Sequence, residues 1–78
     1  MKISQRIQIE FKPDLTHPYL VSILGALNMR ELIGHFATPA EVRKCLTVEL
    51  GIDSRLVEPA MADLHAHGRA HVTRIVQG

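Results

Sequence analysis

Thr38-Pro39-Ala40-Glu41-Val42-Arg43-Lys44-Cys45-Leu46-Thr47-Val48-Glu49-Leu50-Gly51-Ile52-Asp53 decides how this 78-residue chain is read. Thr38 suits a helix cap, and Pro39 suits the first helical position, where a missing N–H costs little. Glu41, three residues after Thr38, completes a capping box. Val42, Cys45, Leu46 and Leu50 then recur on one helical face, with Glu41, Arg43, Lys44 and Thr47 on the other. Gly51 ends this helix and allows a sharp turn, and Ile52 plugs the corner. Asp53 or Ser54 caps a following helix whose Val57, Ala60, Met61 and Leu64 form a second apolar stripe, closed by Gly68. Pro59 conflicts with that helix, because an interior proline removes a hydrogen bond at roughly 3 kcal/mol. The expectation is either an irregular first turn from Asp53 to Glu58 or a regular helix beginning near Pro59.

Outward from this centre, both chain ends alternate. Ile7, Ile9 and Phe11 oppose Arg6, Gln8, Glu10 and Lys12 in a strand from Ile3 to Lys12, and Arg69 to Val76 repeats the pattern with Ala70, Val72 and Ile75 or Val76 inward. Between them, Thr16-His17-Pro18 reads as a helix start. Leu20, Ile23, Leu24 and Leu27 share a helical stripe, so a first helix is expected over Tyr19 to Leu27, ending at Asn28. Arg30 to Ala37 reads as a short strand. The expected fold class is α+β: a three-helix helix-turn-helix core with a small antiparallel sheet made from the N- and C-terminal strands, in one domain over residues 1–78.

Composition bounds the function. Nine Lys and Arg against eight Asp and Glu give a net charge of +1, which excludes a polybasic arm and requires that any phosphate-binding charge be sorted onto one face. A lone Cys45 forms no internal disulfide. No apolar run approaches the roughly 18–20 residues of a membrane span, and Met1-Lys2-Ile3-Ser4-Gln5-Arg6 lacks a signal-peptide core. A soluble, cytoplasmic protein is expected, with no membrane partner. With only Phe11, Tyr19 and Phe36 as aromatics, the core must be aliphatic and small, which favours a second copy or partner.

The residues Thr38-Pro39-Ala40-Glu41-Val42, Leu46, Leu50-Gly51-Ile52-Asp53, Val57, Met61, Leu64, Gly68 and Val72 together resemble the helix-turn-helix half of a winged-helix domain. Only ten residues follow Gly68, too few for a full C-terminal wing, and the strand from Ile3 to Lys12 is the natural replacement. The resemblance implies a small transcriptional regulator that places its third helix in the major groove of double-stranded DNA. Ser54, Arg55, Glu58, Ala62 and His65 face outward from that helix. Arg55 suits bidentate contact with guanine, Ser54 a base or phosphate, and Glu58 the amino group of cytosine. Arg43, Lys44, Arg69 and Arg74 would hold the DNA backbone. Asp53, Glu58 and Asp63 oppose phosphates on the same helix, so the competing reading is a non-enzymatic adaptor or inhibitor that binds a protein through the helix-three face or the open sheet edge. A homodimer is expected through the first helix or the terminal strands.

Other constellations carry less. His65, His67 and His71 flank the Gly68 break without a standard zinc pairing, so no metal site is expected, with or without Cys45. Cys45 lies on an inward stripe and reads as a small core residue rather than a nucleophile. Ser4, Ser22 and Ser54 have no nucleophile-elbow context, and the five glycines form no phosphate loop. Nothing argues for an enzyme or a cofactor.

Overall fold

The computed structural model describes residues 2–25 and 29–77. Strands β1 (Lys2–Phe11), β2 (Tyr19–Leu24) and β3 (Arg30–Phe36) precede helix α1 (Pro39–Lys44), which runs on into a π-helical segment, Cys45–Glu49. Helix α2 (Ser54–His67) and strand β4 (Arg69–Gln77) follow. All neighbouring strands are antiparallel, in the order β3-β2-β1-β4.

The chain ends pair as the alternation suggests, from Lys2 opposite Gln77 to Glu10 opposite Arg69. The α+β class stands, but the three-helix core does not: among the described residues the sheet has four strands and the helical layer holds two α-helices. The expected first helix is the point of departure. Tyr19–Leu24 is a strand, Gly25 follows it outside any helix, and residues 26–28 lie outside the described ones. Tyr19, Val21 and Ile23 satisfy a period of two as well as the helical stripe did, and β1 supplies the partner that selects the strand: Ile9 pairs with Val21 and Ile7 with Ile23. Pro13–Pro18 thus becomes a hairpin loop, closed by the Lys12 N–H donating to the Pro18 carbonyl at 2.7 Å.

The helical signals hold. Thr38 Oγ1 accepts from the Glu41 N–H at 3.3 Å, and Glu41 Oε2 accepts from the Ala37 N–H at 3.1 Å. Gly51 and Gly68 both take left-handed backbone angles, φ 66° and 76°. Asp53 caps α2, accepting from the Arg55 N–H at 2.9 Å. The helix is continuous from Ser54, so neither expected consequence of Pro59 occurs. Pro59 lies on the exposed side of α2 and, having no N–H, leaves the Arg55 carbonyl without its intrahelical donor.

The two helices cover one sheet face. Ile7, Ile9, Val21, Ile23 and Val72 point into a single core with Val42, Cys45, Leu46, Ile52, Val57, Ala60, Met61 and Leu64. No helix among the described residues is long and apolar enough to cross a membrane.

Candidate nucleic-acid interface

Strand alternation determines what the uncovered sheet face carries. With Ile7 and Ile9 turned to the helices, Arg6, Gln8 and Glu10 of β1 turn away. Their register partners share that outer face: Leu20, Ser22 and Leu24 on β2, and Arg69, His71 and Thr73 on β4. From β3, Arg30 lies opposite Leu24, Leu32 opposite Ser22, and His35 opposite Leu20. Ile33 is the extra residue of a bulge beside Val21 and Ser22, and it packs against the core.

Among the described residues, Arg6, Arg30 and Arg69 therefore share one open strand face with His35 and His71, against a single carboxylate of those strands, Glu10. Arg30 reaches across the sheet, its Nη2 donating to Gln8 Oε1 at 2.6 Å and its Nη1 lying 3.6 Å from Glu10 Oε1. Lys12 Nζ approaches the other Glu10 oxygen at 3.7 Å. Among the described residues, neither Arg6 nor Arg69 has a carboxylate within ion-pair distance. A cleft of about 850 Å³ runs over Gln8, Glu10, Arg30, Arg69 and His71 and reaches α2 at Asp63.

The helical layer has the opposite balance. Residues 38–68 contain Arg43, Lys44 and Arg55 against Glu41, Glu49, Asp53, Glu58 and Asp63. Subtracting these three cations and five acids from the chain's nine and eight leaves six cations and three acids for the rest.

Of the residues expected to bind DNA, Arg43, Glu58 and His65 line one groove between the helices, while Arg69 and Arg74 lie on opposite faces of the sheet. Arg55 Nη2 pairs with Asp53 Oδ2 at 2.8 Å, and this pairing holds the Asp53 carboxyl below its usual range while raising the guanidinium. Arg43 Nε donates to Glu58 Oε1 at 2.8 Å. Ser54 and Lys44 are exposed, on α2 and α1 respectively. His65 lies on a groove of about 660 Å³ between the helices, whose floor includes Phe11, Tyr19, Met61 and Leu64 and whose rim is the Arg43–Glu58 pair. Arg69 is on the far side, on the open sheet. Arg74 points toward the helices: its Nε and Nη2 donate to Gln5 Oε1 at 3.2 and 2.5 Å, and its Nη1 donates to the Leu50 carbonyl at 3.0 Å. It ties the sheet to the inter-helix turn.

Arg6 and Arg30 are the additions that sequence reasoning missed. The outward phase of Arg6 is visible in the alternation of β1, but the face it belongs to exists only once Tyr19–Leu24 is a strand that joins β3 to β1. Among the described residues, no three of His, Cys, Asp and Glu come together as metal ligands. Cys45 is buried, and burial together with the Glu49 carboxylate pushes its thiol pKa up to about 11.

No protein-family model matches the chain, and no curated protein or solved structure was found to be similar to it. The winged-helix resemblance thus rests on the Thr38–Val72 core positions alone.

Proposed function

We propose that the chain is a nucleic-acid-binding module that holds the phosphate backbone on its open sheet face, with Arg6, Arg30 and Arg69 as the main contacts. The observation that carries this reading is the sorting of charge: among the described residues, the strands of the exposed sheet face carry three arginines and one acid there, while the helical layer has an acidic excess. Phosphate binding requires such sorting in a chain of net charge +1. The same sorting weighs against the third-helix mode of the winged-helix resemblance, in which Asp53, Glu58 and Asp63 would approach phosphates and Arg43 and Arg55 would first have to leave their carboxylates.

Titration of a labelled duplex and a labelled single strand by fluorescence anisotropy, at two salt concentrations, tests this proposal. The variant Arg6→Ala/Arg69→Ala is expected to weaken binding about tenfold, whereas Lys44→Ala/Arg55→Ala leaves it within about twofold. A larger loss from the second variant would return the interface to the helices. A second reading, the protein adaptor, is favoured by the inter-helix groove, where Phe11 is 39% exposed with its ring centroid 5.0 Å from that of Tyr19. Absence of binding to either oligonucleotide at low salt would favour it.

A further inference from the structure

We infer that β4 is the pairing edge for a second copy of this chain, in an antiparallel β4–β4 ladder centred on Thr73. The two edges of the sheet differ. The edge formed by β3 is interrupted by the bulge at Ile33 and carries Gly34 and an acidic residue, Glu31, devices that discourage strand addition. The edge formed by β4 has none of them. Arg69-Ala70-His71-Val72-Thr73-Arg74-Ile75-Val76-Gln77 contains no Pro, Gly, Lys or acidic residue and pairs with β1 without a register shift.

The hydrogen-bond phase shows which amides are available. The Phe11 N–H donates to the Gly68 carbonyl at 2.8 Å, so along β4 the backbone groups of Ala70, Val72, Arg74 and Val76 face β1. Those of Arg69, His71, Thr73 and Ile75 point outward, where an added strand would meet them.

A second β4 is self-complementary to this pattern. Thr73 is the midpoint of Arg69–Gln77, and a two-fold axis there is the one placement that engages the whole strand with outward groups always opposite outward groups. Thr73 then faces Thr73 of the second copy, His71 faces Ile75, Val72 faces Arg74, and Arg69 faces Gln77. No like charges stand directly opposite, although each strand carries two arginines. Ile75, 63% exposed in the single chain, gains a neighbour. The result is an eight-stranded sheet from two four-stranded ones, with the two arginine-bearing faces side by side. The inference stands apart from the nucleic-acid reading, since it depends on backbone phase rather than on Arg6, Arg30 or Arg69.

Sedimentation equilibrium of the full chain gives the first test, with an expected mass of twice 8.7 kDa. Thr73→Pro removes an outward amide that the single chain's own ladder does not use, and should return the mass to that of one chain while circular dichroism stays unchanged. Thr73→Lys should do the same by placing two cations face to face, and serves if the proline variant does not fold. Thr73→Cys should form an interchain disulfide under mild oxidation, because opposed residues of a hydrogen-bonded pair lie about 5.5 Å apart at Cα, and Leu32→Cys on the β3 edge should not. A monomeric wild-type chain across the accessible concentration range, a dimer that survives both Thr73→Pro and Thr73→Lys, or preferential crosslinking at Leu32→Cys would overturn the inference.

Discussion

Arg74 shows how one side chain can be removed from a binding surface by an internal task. Its guanidinium bonds Gln5 on the neighbouring strand and the Leu50 carbonyl at the turn between the helices, so it competes with no ligand. Arg74→Ala should lower stability by about 1–3 kcal/mol in urea unfolding, the usual loss when a partly buried acceptor is left unpaired. Arg69→Ala, which removes no side-chain hydrogen bond or ion pair among the described residues, should change stability by less than about 0.5 kcal/mol. The contrast separates the two arginines that the sequence alone placed in one role. Cys45 gives a second prediction at this scale. Its folded pKa, raised to about 11, lies above the ordinary thiol value of 9.0, so the unfolded chain loses the thiol proton first as pH rises. The contribution of the neutral buried thiol is therefore fully present below pH 9 and is lost between about pH 9 and 11. Unfolding midpoints across that range should fall more steeply for the wild type than for Cys45→Ala; parallel curves would show that Cys45 does not carry the effect.

At the scale of elements, Pro59 in α2 is the clearest local conflict. It is exposed, contributes nothing to the core, and leaves the Arg55 carbonyl without its intrahelical donor. Pro59→Ala should stabilise the chain by about 1–3 kcal/mol, read as a higher urea midpoint with an unchanged denaturant slope. No gain would mean that fixing φ in the unfolded chain offsets the missing bond. The ends of the helices were legible because their signals are local: Thr38, Pro39 and Glu41 lie within one turn, and Gly51 and Gly68 mark positions of positive φ. The terminal strands were legible from alternation. Tyr19–Leu24 was not, because an almost wholly apolar segment satisfies both periods and the choice was made by Ile7 and Ile9, more than ten residues away in sequence. Site residues were legible as types but not as a face. Arg43 meets Glu58 and Arg74 meets Gln5 only through tertiary contact, and the outer face cannot be assembled while Tyr19–Leu24, the strand that joins β3 to β1, reads as a helix.

At the scale of the whole molecule, the division between a basic sheet face and an acidic helical layer should be measurable as a salt dependence. Three arginines on the open face, one of them shared with Glu10, predict two to three phosphates neutralised, hence a slope of log affinity against log salt of about −2 to −3 on duplex DNA. Glu10 sets the finer expectation. It lies among the cations of that face, 3.6 Å from Arg30 and 3.7 Å from Lys12, and it repels any phosphate brought to them. Glu10→Gln keeps the size and the hydrogen-bonding capacity of the side chain while removing its charge, so stability should change by less than about 1 kcal/mol, as for other exposed pairs. Affinity at low salt should rise about three- to tenfold and the salt slope should steepen, because Arg30 and Lys12 become available to phosphate. At about 1 M salt, where screening shortens to roughly 3 Å, the variant and the wild type should converge. If Glu10→Gln left affinity and slope unchanged at low salt, phosphate could not be lying over Arg30, and the open sheet face would lose its place as the interface.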